Sequence, residues 1–163
     1  MANKTGKQPI LVPVDFSVAS EAALLKAFEL AECLKVRVVV LHVVHDPGDM
    51  PGYYTNMLKK KKLARMQDAA RAMLEEFIQE FRKKYTTKQR LKRAERMLVV
   101  GLPVTRIMQV AEKIDASIVV MGSKGERGLK HLMLGSVAER VVQLCPLPVL
   151  VVKAELQVQE ETS

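Results

Sequence analysis

The residues best placed to do chemistry lie in VVMGSKGERGLKHLMLGSVAERV, positions 119–141. Gly122 follows an apolar run, Gly125 and Gly128 come within six residues of it, and Gly135 opens a stretch patterned as a helix. Glycine loses more conformational freedom on folding than any other residue, so a loop rich in it points to a tight path or close access to the backbone. The chemistry this offers is anion binding. Gly122 can turn a strand exit tightly, and Gly125 can let backbone amides approach an anion. Gly135 can do the same before a helix, where unpaired N–H groups and the positive dipole end favour phosphate. Lys124, Arg127 and Lys130 add cations, and hydrogen bonds to charged groups contribute about 1.5–3 kcal/mol each. A purely structural account is also available, because glycine ends strands and caps helices. Ser136 and Glu139 fit the S-x-x-E capping box, which would give Ser136 a structural job. Spacing alone leaves both accounts open.

Known phosphate motifs are absent. The stretch has no G-x-x-x-x-G-K-[ST] and no G-x-G-x-x-G. Hydrolysis would need a positioned water, a base and fixed cations, and no Walker-type carboxylate can be placed. His42, His45 and His131 are isolated, without H-E-x-x-H or another ligand spacing. His42, inside a strand, reads as a core or edge residue. Cys33 and Cys145 have no metal spacing and suggest no disulfide framework, so the expected compartment is the reducing cytoplasm.

The elements that must position these residues follow from periodicity. Residues 10–14, ILVPV, form an apolar strand ending at Asp15, and Ser17 is placed to cap the helix that follows. In that helix Ala23, Ala27, Leu30, Ala31 and Leu34 recur at helical spacing. VRVVVLHVV, 36–44, is β-branched and nearly all apolar, as in a strand covered on both faces. Two Pro-Gly pairs mark a loop after it. Residues 57–84 carry a helical stripe of Leu63, Met66, Ala70, Met73, Leu74, Phe77, Ile78 and Phe81. Strands follow within 91–100, at 117–121 and at 146–152, with helices at 103–114 and 136–144. Strand–helix alternation of this kind is buried most simply as a parallel sheet with helices on both faces. Ligands in such sheets sit beyond the carboxyl ends of the strands, where PVDFS, Gly101 and the glycine segment all fall.

A chain of 163 residues suits one domain, burying roughly 70% of its unfolded surface. No apolar run approaches the roughly 20 residues of a membrane span, and the start reads as lacking a signal peptide. The net charge of +8 is concentrated: residues 59–96 hold 14 Lys or Arg against 5 Asp or Glu. A long solvated helix accounts for this best, since lysine and arginine are good helix formers whose stems cover apolar surface. Contact with nucleic acid or membrane through 59–96 is the weaker alternative, with no helix-turn-helix, zinc spacing or aromatic platform to support it.

ILVPVDFS, ASIVVMGSKGERG and LMLGSVAERVVQLCPLPVLVV together resemble the universal stress protein family, over nearly the whole chain. Gly122, Gly125, Gly135 and Ser136 meet the G-x2-G-x9-G-[ST] pattern of its ATP-binding branch. The resemblance implies an open five-stranded parallel α/β sheet of order 3-2-1-4-5, spanning 9–153 between flexible tails at 1–8 and 154–163. It implies ATP, or another adenine nucleotide, as ligand, with or without Mg²⁺, and a switch role with slow or absent turnover. By motif, Asp15 would bond the adenine or its surroundings beside Pro13 and Val14, and Val40 or a close neighbour would meet adenine through its backbone. Met121, Gly122 and Gly101 would lie near the ribose, and Gly125, Gly135, Ser136 and Val137 around the phosphates. Asp15 also has the alternative job of capping the next helix, and Met121 that of core packing. Glu126 departs from the small or basic residue frequent there, with Lys124 beside it to offset the charge. In the family order the last strand is an edge, which implies a homodimer through residues 147–152. Protein clients would be further, unnamed partners.

Overall fold

A computed structural model describes residues 7–45, 55–85, 94–124 and 134–154, leaving aside the side chains of 55–60. Gly125, Gly128 and the charged residues from Glu126 to Lys130 lie outside the described residues. The elements are β1 (Ile10–Pro13), α1 (Val18–Leu34), β2 (Val38–Val44), α2 (Thr55–Lys84), β3 (Glu95–Val100), α3 (Pro103–Lys113), β4 (Ile118–Gly122), α4 (Ser136–Leu144) and β5 (Val149–Val152). All sheet pairings are parallel and the strand order is β3-β2-β1-β4-β5. This is the expected α/β sheet in the expected order.

Except for β4, which is shifted by one residue, the strands are shorter than periodicity suggests, most clearly β5. It begins at Val149 because Pro146 and Pro148 bring no N–H to a ladder. Ser17 caps α1 as expected: its hydroxyl accepts from Ser20 N at 3.1 Å. The helix stops at Lys35, which adopts a left-handed φ of 55°.

Side-chain alternation splits the core into two layers. Ile10, Val12, Val38 and Val40 pack with Leu24, Ala27 and Phe28 of α1 and with Leu74, Ile78 and Phe81 of α2. Leu11, Val39, Leu41, Val119 and Met121 pack with Ile107, Val110 and Ala111 of α3 and with Ala138 and Val141 of α4. The central strands are apolar at consecutive positions because both faces are covered.

α2 differs from its expected stripe. Ala70, Leu74, Ile78 and Phe81 are buried, but Leu63, Met66 and Phe77 are only half-buried and Met73 is 49% exposed. Its 30 residues span about 45 Å, while the seven of β2 span about 23 Å. The sheet is too short to cover the whole helix, so no residue from Lys61 to Ala69 is buried. At its other end, Lys84 bonds Glu21 of α1 at 2.6 Å.

β1 leads to β2 on one side, and the chain later crosses to β4 on the other. The carboxyl ends of β1 and β4 therefore flank the switch point of the sheet, where a crevice opens.

Candidate functional site

Two loops meet at that switch point. The first leaves β1. Asp15 is held by its own neighbours: its Oδ1 accepts from Ser17 Oγ and Ser20 Oγ, each at 2.6 Å, and from Ser17 N at 3.2 Å. Its N–H donates to Ser20 Oγ at 3.0 Å. Asp15 thus supports the start of α1 by bracing its cap residue, while the cap itself is Ser17. Phe16 has a left-handed φ of 68°. Its ring stacks on His42, centroids 4.3 Å apart, and His42 Nδ1 donates to Val14 O at 2.8 Å.

The second loop leaves β4. Its base is closed by two backbone bonds, Ser123 N to Val152 O at 2.8 Å and Gly135 N to Ser123 O at 2.7 Å. Gly135 is the N-cap of α4, in extended geometry, with no side-chain cap. Ser136 is therefore the first helical residue, and the capping box expected of Ser136 and Glu139 does not form. The box needs the serine one position earlier, at the cap itself. Instead Glu139 N reaches Gly135 O at 2.8 Å. Among the described residues no side chain caps the first backbone N–H groups of α4, where Ser136 is exposed and Val137 half-buried. Ser17 Oγ lies 3.5 Å from Lys124 O, which brings the two loops together.

Two glycines have structural causes. A Cβ on Gly122 would lie 2.7 Å from the backbone carbon of Ala19, so the glycine lets α1 press against β4. Gly101 has φ +143°, and a Cβ there would lie 2.6 Å from Arg106 Nε. Arg106 occupies that space while donating to Val100 O at 2.7 Å and to Gln109 at 2.9 Å. Pro13 ends β1 and Val14 is buried, both at the crevice. Met121 is buried in the α3–α4 layer next to Gly122. Val40 is fully buried in mid-strand, paired with Val12 on one side and Arg96 on the other. The later residues of β2, His42 among them, reach the carboxyl end.

Sequence reasoning missed His42, Ser20 and Arg106. The Asp15–Ser17–Ser20 spacing was a legible turn-and-cap signal. His42 acts across the fold and leaves no local mark, and Arg106 reaches back only six residues, to Val100 O.

Beside the first loop, burial raises the Glu21 carboxyl, but hydrogen bonds from Lys84 and Tyr85 and the Lys84 charge outweigh it, and the net shift is downward. The bond to Glu21 correspondingly raises Lys84. Among the described residues no three His, Cys, Asp or Glu side chains are grouped to hold a metal. No described helix is long and apolar enough to cross a membrane.

Residues 7–153 match the sequence profile of the universal stress protein family. Universal stress protein MJ0577 of Methanocaldococcus jannaschii is 32% identical over 162 residues, covering 88% of this chain and 93% of that protein. The solved structure of MJ0577 superimposes with a TM-score of 0.75 at 28% identity, over 91% of this chain and 97% of that one. A universal stress protein from Archaeoglobus fulgidus, solved in complex with dAMP, superimposes with a TM-score of 0.58 at 26% identity, over 90% and 98%. The chain belongs to the universal stress protein family.

Proposed function

From this membership we propose that the chain binds an adenine nucleotide, ATP foremost, in the crevice between β1 and β4, and acts as a homodimeric stress-response switch. The observation that carries the reading is the N-terminus of α4: its cap residue, Gly135, makes no side-chain cap bond, and it lies after β4 at the switch point with an exposed Ser136. The dAMP complex of the Archaeoglobus relative supports the choice of ligand class.

In this reading the amides of Ser136 and Val137, with Gly135 and Gly125, hold phosphate oxygens, and the Ser136 hydroxyl adds a donor. Lys124 supplies charge at the loop's start. Pro13, Val14 and Asp15 line the base end, with Met121 and Gly122 toward the ribose. Through Oδ1 Asp15 keeps Ser17 and Ser20 in place at the base end. A magnesium ion, when bound, would neutralise phosphate charge and would be carried mainly by the nucleotide, since the described residues group no set of protein ligands for it. The role is binding rather than turnover, with at most slow hydrolysis.

The homodimer would form through 147–152. β5 is an edge strand of apolar residues, all half-buried, and pairing two such edges covers them. Light scattering at micromolar concentration should give twice the mass of the chain; a monomer would overturn this part. Free thiols at Cys33 and Cys145 fit a cytoplasmic setting.

The test of the ligand is mass spectrometry of small molecules released by denaturing freshly purified protein, with Gly135→Asp as control. Stoichiometric adenine nucleotide in the wild type and none in the variant is expected. No nucleotide, and no binding on titration with millimolar ATP and Mg²⁺, would leave a dimeric protein-interaction module with an empty pocket.

A further inference from the structure

We propose that His42 is a positioning residue for the Val14–Ser17 segment and thereby sets nucleotide affinity; the second half of this statement rests on the nucleotide reading above. Val38 and Val40 point into the α1–α2 layer, and alternation puts His42 next on that face. At this position the face carries a half-buried imidazole in place of another valine. Its Nδ1 lies 2.8 Å from Val14 O. A carbonyl can only accept, so Nδ1 carries the proton and the tautomer is fixed.

The bond falls where the sheet stops holding the chain. β1 ends at Pro13, and Val14 N still donates to Leu41 O at 2.8 Å. The Val14 carbonyl is then taken by the His42 side chain. Two residues on, Phe16 has its left-handed φ of 68°, a conformation that a bulky L-residue keeps only when its surroundings impose it. Two rings hold it: His42 against its face at 4.3 Å and 30°, and Phe77 of α2 edge-on at 5.7 Å and 61°. The reversal at Phe16 lets Ser17 N and Oγ turn back onto Asp15 Oδ1. His42 therefore fixes the residue on each side of Asp15, the carbonyl before it and the ring after it. It needs no contact with ligand to decide where the Asp15 carboxylate points.

Three measurements test this. Long-range ¹⁵N–¹H spectra of the wild type should show the Nδ1–H tautomer at His42, and an Nε2–H tautomer would overturn the proposal. His42→Asn keeps a donor near the Nδ1 position, while His42→Phe keeps a ring and loses the donor. Hydrogen exchange at Ser17 N and Ser20 N, which needs no ligand, should be faster in His42→Phe by about tenfold, the factor set by one lost hydrogen bond, and largely preserved in His42→Asn. ATP titration, with urea unfolding of each variant alongside, should show a loss of about tenfold for His42→Phe and a substantial rescue by His42→Asn. Equal losses in both variants that merely follow their unfolding midpoints would reduce His42 to core packing and overturn the proposal. If the wild type binds no ATP, the nucleotide reading falls with the affinity claim. The positioning of the segment is then decided by tautomer and exchange alone.

Discussion

The exits of β1 and β4 are built from the same parts: a buried parallel strand, a turn at the switch point and the start of a helix. They satisfy that helix start in opposite ways. At β1 the chain does it internally, with Ser17 as cap and Asp15 as a fixed negative charge bonded to Ser17 and Ser20. At β4 the cap position is Gly135, which has no side chain to offer. A helix start already provided with its own anion has little use for another, whereas an open one favours phosphate. In the proposed nucleotide reading, the two similar loops separate into a wall and a receptor.

The largest expected effect comes from giving the second loop what the first has. Gly135→Asp should weaken ATP binding by roughly a hundredfold or more, because a like charge then sits where the phosphates belong. Aspartate is a good N-cap, so the same variant should keep its unfolding midpoint or gain a few tenths of a kcal/mol. Affinity and stability moving in opposite directions is the signature, and a parallel loss of both would break the comparison. Gly122→Ala sharpens it from the packing side. The added methyl meets the Ala19 backbone, so urea unfolding should show about 1–3 kcal/mol of destabilisation. Ser17→Ala should cost about 1 kcal/mol of stability through the lost cap, with a much smaller change in ATP affinity than Gly135→Asp.

The smallest effect concerns the ion pair that anchors α2 beside the first loop. Glu21 titrates below its ordinary value of 4.5, so its contribution to stability is present above that value and is lost as pH falls through the folded one. Glu21→Gln should therefore lower stability at neutral pH by no more than about 1 kcal/mol, since Lys84 is largely in water. Paired unfolding curves should converge in acid, and a gap unchanged by acid would assign the effect to packing instead.

The two exits also differ in how far they could be read in advance. The Ser17 cap and the anion-friendly glycine pattern are local, since their partners lie within a few residues. The helix start at 136 is legible, but spacing leaves open whether Ser136 or Gly135 is the cap, and that one-residue difference decides whether the hydroxyl serves the helix or is left to a site. The reading of Val40 or a close neighbour is no sharper for a related reason: the apolar run of β2 has no internal mark for where the strand leaves the core. The stripe on α2 was correctly periodic, but periodicity says nothing about where the sheet beneath it ends.

What the sequence determined by itself is what short-range physics encodes. Alternation and helical spacing gave the nine elements, and their order made a parallel sheet the simplest burial. The resemblance carried by three stretches of the chain supplied the strand order. What only the tertiary structure decided is which residues meet across it. Gly122 answers to Ala19, Gly101 to Arg106, and Phe16 to His42 and Phe77. The partners of Gly122 and Phe16 are far apart along the chain and are brought together by sheet order and helix packing, while Arg106 folds back on Gly101 from the start of the next helix. A glycine kept for a neighbour's backbone and one kept for a ligand look alike in sequence; the neighbour tells them apart.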